Sequence, residues 1–283
     1  MLSVAAVQMT STVDFNANLR EAERLMHAAK QGGAELILLP ENFASYGGDY
    51  RQLAEQQGLA LQAWLQHWAK TLEITLIGGT IPLAQRADGT LVNRGRVRSA
   101  CLMYSSGGVL LGRYDKLHLF DVSVDDAQGR YCESDSFEPG DRLLVRAAGP
   151  VKVGLAVCYD LRFALLAGAL AQAGANLLVY PSAFTEVTGA AHWHLLLRAR
   201  AVETGCYVLA ANQCGQHTAK RQSYGHSILI DPWGSIVAEL NAAPGVLVAE
   251  IDLNHQKNIR NKLPLHQHQR LTVELPNDIR FDE

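Results

Sequence analysis

The sequence predicts a single α/β domain in which two layers of β-sheet are covered by outer helices. Short apolar runs alternate along the chain with segments whose apolar residues recur at helical spacing, and this pattern is typical of α/β proteins. No Pro-, Gly- or Ser-rich linker and no shift in composition marks a domain boundary. The 283 residues are enough to bury one large core.

The first half of the chain alternates between predicted strands and two predicted helices. Leu19, Ala22 and Leu25 lie at helical spacing, and Gly32 follows at the point where that pattern stops. A continuous apolar run such as ELILLP is typical of a strand that is covered on both faces. The predicted strands lie at 2–8, 35–40, 75–82, 99–106 and 108–115, and the predicted helices at 16–30 and 51–71.

The second half repeats this rhythm without repeating the sequence. Its predicted strands lie at 152–160, 176–184, 206–214, 226–234 and 245–253, and its predicted helices at 163–174 and 191–205. The DPWG sequence fits a tight turn. We expect the domain to comprise residues 1–256, followed by a C-terminal tail at 257–283 that packs partly on the domain or on a dimer partner.

Composition excludes several classes of protein. The formal net charge is −3, and no run of five like charges occurs, so we expect no nucleic-acid partner. No apolar run approaches the ~18 residues that cross a bilayer, and the N-terminus lacks the basic leader of a signal peptide. The five cysteines are an odd number without a C-x-x-C pair. These features predict a cytoplasmic protein with no membrane partner and no disulfide framework.

Reactive side chains follow three of the predicted strands. Glu41 comes after ELILLP, Lys116 after GVLLGRYD, and Cys158 after KVGLAV. Because ligand sites in α/β folds gather at the carboxyl ends of strands, these three groups could converge. A thiol, a carboxylate and an ammonium group together suit nucleophilic catalysis on a carbonyl carbon.

Each of these residues also has an alternative structural explanation. Cys158 alone could be a buried, inert thiol, and Glu41 alone a solvated carboxylate at the end of a strand. Lys116 alone could be a surface residue paired with Asp115. For the catalytic interpretation we expect a lowered pKa at the Cys158 thiol, because a helix N-terminus and a nearby ammonium group would both stabilise the thiolate.

The histidines do not predict a metal site. His192 and His194 would diverge on a helix, and His266 and His268 lie in the polar tail, with no carboxylate at matching spacing. The phosphate-binding glycine motifs and the G-x-S-x-G serine motif do not occur. We therefore expect neither a metal nor a cofactor.

The sequences around the three reactive residues resemble a known family. LLPENF around Glu41, RYDKLHLFD around Lys116 and VGLAVCYDLRF around Cys158 resemble the three signatures of the nitrilase, or carbon–nitrogen hydrolase, superfamily. The resemblance implies a four-layer α-β-β-α sandwich of the nitrilase type. It also implies a Glu-Lys-Cys catalytic triad and a homodimer that extends the sandwich across its interface.

Within the superfamily the chain is most similar to the Nit branch, in stretches such as YCESDSFEPG and KRQSYGHSILIDPWG. It departs from the family at 164–166, where Ala-Leu-Leu replaces the usual Pro-Glu-Leu, and in the tail sequence LPLHQHQR. The branch implies an amidase acting on a small linear amide, with deaminated glutathione, cleaved to 2-oxoglutarate and cysteinylglycine, as the leading substrate. The alternatives are an ω-amidase acting on α-ketoglutaramate or α-ketosuccinamate, and a non-catalytic interaction protein that retains the fold.

The resemblance also implies individual roles. Cys158 would attack the amide to form a thioester, Glu41 would act as proton acceptor and general base, and Lys116 would stabilise the oxyanion. Glu133 matches a second glutamate that supports the lysine. The residues expected to bind the substrate are Arg162, Tyr159 and Thr188.

Arg162 predicts the chemistry of the substrate. A guanidinium group binds a carboxylate through two parallel hydrogen bonds, so we expect an amide with a carboxylate or α-keto acid end. Alternatively, Arg162 could anchor the start of the following helix or pair with Asp160.

Overall fold

The computed structural model describes residues 1–93, 95–271, 275–276 and 278–282. Two helices of the first half lie between short strands. The helices are α1 (Phe15–Gln31) and α2 (Tyr50–Thr71); the strands are β1 (Leu2–Gln8), β2 (Leu36–Leu38), β3 (Thr75–Ile77), β4 (Ile81–Leu83), β5 (Arg98–Tyr104), β6 (Leu110–Asp115), β7 (Asp121–Ser123) and β8 (Arg130–Cys132).

The second half continues the alternation and ends in a small strand. Its helices are α3 (Ala164–Gln172), α4 (Glu186–Thr204), α5 (Leu253–Lys262) and α6 (Leu265–His268). Its strands are β9 (Arg142–Leu143), β10 (Val145–Ala148), β11 (Val151–Leu155), β12 (Leu177–Ser182), β13 (Tyr207–Asn212), β14 (Cys214–Gln216), β15 (Gln222–Tyr224), β16 (Ile228–Ile230), β17 (Ile236–Glu239), β18 (Gly245–Ile251) and β19 (Arg280–Phe281). Among the described helices, none is long and apolar enough to cross a membrane.

The strands form two main sheets, and each sheet has three parallel strands at its middle. The first sheet has the order β18-β1-β2-β3-β5-β4, with β6 also paired to β5, and the second has the order β10-β11-β12-β13-β16-β17. In each sheet three parallel strands, β1-β2-β3 or β11-β12-β13, are flanked by antiparallel ones. The loops that follow β2 and β11, two of these parallel strands, carry Glu41 and Cys158.

Alternating side chains along the strands separate two cores. In β1, Val4 and Ala6 belong to the core shared with the second sheet, whereas Ala5 and Val7 pack with the helices outside the first sheet. This alternation is what a strand covered on both faces requires.

Helices close the outer faces of both sheets. Leu25 of α1 and Leu61 of α2 pack on the first sheet, and Leu170 of α3 and Trp193 of α4 pack on the second. The layers are therefore helix, sheet, sheet and helix, which confirms the predicted four-layer α-β-β-α sandwich.

Two predicted strands are wrong, because the chain turns where the sequence still reads as apolar. The strand expected over 75–82 is two strands separated at Gly79, whose φ is +55°. A Cβ at Gly79 would lie 2.1 Å from the Pro40 carbonyl oxygen, so glycine permits the loop beside Glu41 to approach. The strand expected over 152–160 ends at Leu155, and a 3₁₀ helix, Cys158–Arg162, follows it.

Other differences arise from signals that are weak in the sequence. Helix α4 begins at Glu186, earlier than residue 191, because Thr185 caps it and accepts a hydrogen bond from the Thr188 N–H. The β7–β8 and β14–β15 hairpins are short and partly polar, so their patterns do not predict strands. Near the C-terminus, β19 pairs in parallel with β9.

Candidate active site

Glu41 lies in the loop that follows β2 and is only 3% exposed. Its backbone carbonyl accepts a hydrogen bond from Gln213 Nε2 at 2.9 Å. The next residue, Asn42, adopts a left-handed conformation with φ +56°, and its N–H donates to Thr80 Oγ1 at 2.9 Å. The loop is therefore fixed on both sides of Glu41, and the carboxylate is not the solvated group of the alternative explanation.

Lys116 follows β6 and is 2% exposed. Its Nζ lies 2.7 Å from Glu41 Oε1 and 2.8 Å from Glu133 Oε2. Asp115 pairs instead with Arg113, at 2.7 Å, so the alternative of a surface lysine paired with Asp115 is wrong. Burial would lower the pKa of Lys116, but Glu133 and Glu41 outweigh burial and raise the pKa well above its ordinary value.

Glu133 begins a short 3₁₀ helix, Glu133–Asp135, after β8. Besides its two contacts with Lys116 Nζ, at 2.8 and 2.9 Å, it accepts a hydrogen bond from the Phe120 N–H at 2.7 Å. Burial raises the pKa of Glu133, and the charge of Lys116 offsets only part of that rise. These bonds fix the direction of Lys116.

Cys158 begins the 3₁₀ helix after β11 with φ +48°. A left-handed conformation is uncommon for a residue other than glycine, and such strain clusters at functional sites. The turn is held by the buried carboxylate of Asp160, which accepts hydrogen bonds from the Val157 N–H at 2.8 Å, the His118 N–H at 3.0 Å and the Tyr114 hydroxyl at 2.7 Å.

The surroundings of the Cys158 thiol correct one prediction. The Glu41 carboxylate and the Ala183 backbone N–H both lie near the thiol. Burial and the negative charge of Glu41 raise the pKa of Cys158 well above its ordinary value, although Lys116 and Ala183 act in the opposite direction. The expected lowering of the thiol pKa is therefore wrong, because burial and the neighbouring carboxylate outweigh the ammonium group.

A single pocket brings the predicted residues together. Glu41, Lys116, Glu133 and Cys158 all line it, and a pocket lined by a few convergent polar groups is typical of a small-molecule site. Much of the remaining wall is aromatic. The aromatic side chains are Tyr46, Tyr50, Phe120, Tyr131, Phe137, Tyr159 and Phe184.

The three residues expected to bind substrate, Arg162, Tyr159 and Thr188, also line this pocket. The Arg162 guanidinium lies 5.2 Å from the Phe184 ring centroid and 5.9 Å from that of Tyr159. Its Nη1 is 3.3 Å from His192 Nδ1. Among the described residues no carboxylate lies within ion-pair distance of Arg162, and Asp160 bonds elsewhere. The alternative of an Arg162–Asp160 pair is therefore wrong.

Sequence reasoning missed several pocket residues. Arg221 belongs to the KRQSYGHS stretch, which supported the resemblance but suggested no role for this arginine. Tyr46 and Tyr50 follow Glu41 closely in the chain, so their spacing was a signal that the loop carries a wall of the pocket. Tyr131 comes from the short hairpin that the sequence did not predict.

One cluster of potential metal ligands lies apart from the residues that line this pocket. His194, His226 and Glu239 place ligand atoms within 4.8 Å of one another. In the structure they are hydrogen bonded, with Glu239 Oε1 at 2.7 Å from His194 Nε2 and 2.8 Å from His226 Nδ1. His192 contacts Arg162 instead, so His192 and His194 diverge as expected, whereas Glu239 comes from a strand that was not predicted.

Comparison with known proteins identifies the family. The pattern of the carbon–nitrogen hydrolase family matches residues 3–261. The human deaminated glutathione amidase is 43% identical over 272 residues, which cover 94% of this chain and 82% of the human protein.

Two solved structures share the fold. The NitFhit protein of C. elegans is 35% identical with a TM-score of 0.84, over 95% of this chain; this chain spans only 65% of that protein. Nit3 of Saccharomyces cerevisiae, a member of branch 10 of the nitrilase superfamily, is 32% identical with a TM-score of 0.83, over 95% of this chain and 97% of Nit3. The chain belongs to the carbon–nitrogen hydrolase family. It is a hydrolase of carbon–nitrogen bonds in small-molecule amides.

Proposed function

We propose that the enzyme cleaves its amide through a thioester on Cys158, with Glu41 as the general base and Lys116 beside the reacting carbonyl. The observation that carries this proposal is the convergence of the three groups in one pocket, where Glu41 Oε1 lies 2.7 Å from Lys116 Nζ and the carboxylate lies near the Cys158 thiol. A nucleophile with a base in hydrogen-bonding reach, itself held by a third group, is the arrangement that covalent catalysis requires.

Acylation begins from a neutral thiol, because the pKa of Cys158 is raised. Glu41 takes the thiol proton as the sulfur attacks the amide carbon and the C–S bond forms. Negative charge develops on the carbonyl oxygen, and Lys116, aided by the Tyr159 backbone N–H, stabilises it. Glu41 then gives its proton to the amine nitrogen, the C–N bond breaks, and the amine leaves.

Deacylation uses the same groups in reverse. Glu41 accepts a proton from a water molecule as the water oxygen attacks the thioester carbon. The C–S bond then breaks, and the sulfur regains a proton as the carboxylic acid is released. Glu133 acts on Lys116, which it holds charged and in position through two contacts of 2.8 and 2.9 Å. These steps use protein side chains and water and need no cofactor or metal.

For the substrate we propose deaminated glutathione, cleaved to 2-oxoglutarate and cysteinylglycine. The identity to the human deaminated glutathione amidase supports this choice. The pocket adds independent support, since Arg162 has no carboxylate partner among the described residues and is free to bind the α-keto acid end. Thr188 lines the same pocket and lies in the first turn of α4.

An ω-amidase acting on α-ketoglutaramate or α-ketosuccinamate would use the same catalytic groups. The buried and mutually bonded Glu41, Lys116 and Glu133 argue against a non-catalytic interaction protein, because burying such charges is costly and serves no docking role.

We also propose a homodimer and a cytoplasmic location. Exposed apolar side chains on α3, on α4 and after β16 support a homodimer; they are Leu165, Leu195, Val202 and Trp233. All five cysteines are free thiols, which supports a reducing compartment. For the tail at 257–283, the β19–β9 pairing and the Asp282–Arg146 contact at 2.8 Å support packing on the domain.

The substrate is tested by comparing purified enzyme on deaminated glutathione, α-ketoglutaramate and α-ketosuccinamate. The readout is the α-keto acid product, which all three substrates release. We expect kcat/KM to be highest for deaminated glutathione. A higher value for α-ketoglutaramate would assign the enzyme to the ω-amidases.

A further inference from the structure

A second arginine, Arg221, lines the pocket. It precedes β15 in the β14–β15 hairpin, and its backbone carbonyl accepts a hydrogen bond from the His217 N–H at 2.9 Å. His217 is itself fixed, because its Nδ1 contacts the Ser11 carbonyl at 2.7 Å and its ring stacks on Tyr46 at 4.2 Å. The hairpin therefore holds Arg221 at a defined place on the wall.

The positive charge of Arg221 is not neutralised by the protein. Among the described residues no carboxylate lies within ion-pair distance of its guanidinium, which packs over the rings of Tyr46 at 5.8 Å and Tyr131 at 5.6 Å. The two carboxylates of the pocket, Glu41 and Glu133, are bonded to Lys116. A guanidinium in an aromatic pocket without an anionic partner is suited to bind an anion from the ligand.

Arg162 and Arg221 are two separate cationic positions. Arg162 packs over Tyr159 and Phe184, whereas Arg221 packs over a different pair of rings. Arg162 belongs to the same turn as Cys158, to which the acyl half of the substrate becomes attached. Arg221 packs on Tyr46, in the segment that follows Glu41, the residue that protonates the departing amine.

We propose that Arg221 binds a second carboxylate, the one on the leaving half of the substrate. This inference rests on the proposed function, in which the leaving half is cysteinylglycine and carries the glycine carboxylate. The two arginines then match the two carboxylates that flank the scissile amide. α-Ketoglutaramate has a carboxylate on its acyl half only and cannot use Arg221, so this residue determines the preference for the larger substrate.

The experiment varies the carboxylate and the arginine together. kcat/KM is measured for deaminated glutathione and for its C-terminal carboxamide, with 2-oxoglutarate release as the readout for both. For the wild-type enzyme we expect the free carboxylate to be preferred by about 10- to 150-fold, the range for a charge-assisted hydrogen bond. In Arg221→Gln the two substrates should have nearly equal kcat/KM.

Two further variants serve as controls for the loss of Arg221. Arg221→Lys retains the charge without the bidentate geometry and should keep only part of the preference, which provides an answer even if Arg221→Gln does not fold. Lys220→Gln removes the same charge from an exposed neighbour that does not line the pocket, and it should keep the full wild-type preference.

The full preference in both Arg221 variants, or no preference in the wild-type enzyme, overturns the role of Arg221. Failure of the proposed function is distinguishable from failure of the role of Arg221, because the activity of the wild-type enzyme shows it without any variant. That enzyme would then hydrolyse α-ketoglutaramate but not deaminated glutathione, and the inference would fall with the proposed function.

Discussion

The charged groups at the base of the pocket differ from those on its walls. At the base, Lys116 is bonded to both Glu41 and Glu133, and all three side chains are largely buried. On the walls, Arg162 and Arg221 pack on aromatic rings and have no carboxylate partner among the described residues. Both sets lie in the same pocket, but the first is neutralised by ion pairs within the protein and the second is not.

This difference suggests that the buried, paired groups carry out the reaction and that the wall arginines recognise the substrate. Buried charges are tolerated when they are paired and hydrogen bonded, and pairing holds the proposed catalytic groups at fixed distances before a substrate arrives. The wall arginines have no carboxylate partner among the described residues, and although Arg162 contacts His192, each guanidinium keeps further hydrogen-bond donors for a ligand. We therefore expect changes at the base to affect every substrate, and changes on the wall to affect charged substrates selectively.

Among the variants at the charged residues, Lys116→Ala should have the largest effect. This change leaves Glu41 and Glu133 buried without their cation, and breaking a buried pair typically costs about 3–5 kcal/mol of stability. Loss of the group beside the oxyanion should also slow turnover by about 10²- to 10³-fold for all substrates. Urea unfolding and 2-oxoglutarate release measure the two effects, and Lys220→Ala, at an exposed position, is the control.

The sign of the pH dependence sharpens this prediction. Burial already raises the pKa of Glu133, and in Lys116→Ala the opposing charge of the lysine is gone, so lowering the pH protonates Glu133 and should recover part of the lost stability. If Lys116→Ala has the same free energy of unfolding as the wild type at neutral pH, the stability of the protein does not depend on the pairing of Lys116 with Glu41 and Glu133.

Arg162→Lys should give a smaller and selective effect. Lysine keeps the charge but cannot form two parallel hydrogen bonds with a carboxylate. We expect KM for α-keto-acid amides to rise by about 10- to 150-fold, with little change for a neutral amide such as propionamide. Equal losses on both kinds of amide, together with a lowered Tm, would assign Arg162 to a structural role.

The smallest expected signal is spectroscopic and concerns the resting state of the thiol. Burial and Glu41 raise the pKa of Cys158, so the thiol should stay protonated from neutral pH up to about pH 8.5, the ordinary cysteine value. The ultraviolet thiolate absorbance of the wild type minus that of Cys158→Ala measures this ionisation. A thiolate step near neutral pH would contradict the role of Glu41 as the base that removes the proton.

The sequence predicts most of the architecture because the spacing of apolar residues indicates which faces of the helices and strands are buried. Long runs such as that of β12 and the helical spacing in α1 appear where expected, and the sheet layers follow from them. The two wrong strands are those in which a local conformation interrupts an apolar run, near Gly79 and Cys158, both with positive φ. Apolar patterning does not encode such turns.

The sequence predicts which residues form the site better than it predicts their pKa values. Three strand ends mark Glu41, Lys116 and Cys158, and the structure brings them into one pocket. The direction of the thiol pKa was not predictable, because it depends on burial and on the approach of Glu41 from the other sheet. Arg221 was missed for a similar reason, since only the folded hairpin places it on the pocket wall.

Covalent catalysis by Cys158 is tested by the variant Cys158→Ala. The measurement is 2-oxoglutarate release from deaminated glutathione and from α-ketoglutaramate, with circular dichroism to verify folding. Because the substitution is small and the neighbouring groups remain, we predict a folded protein with no detectable turnover of either amide. Release of 2-oxoglutarate by the folded variant at a rate near that of the wild type would show that Cys158 does not form a covalent intermediate.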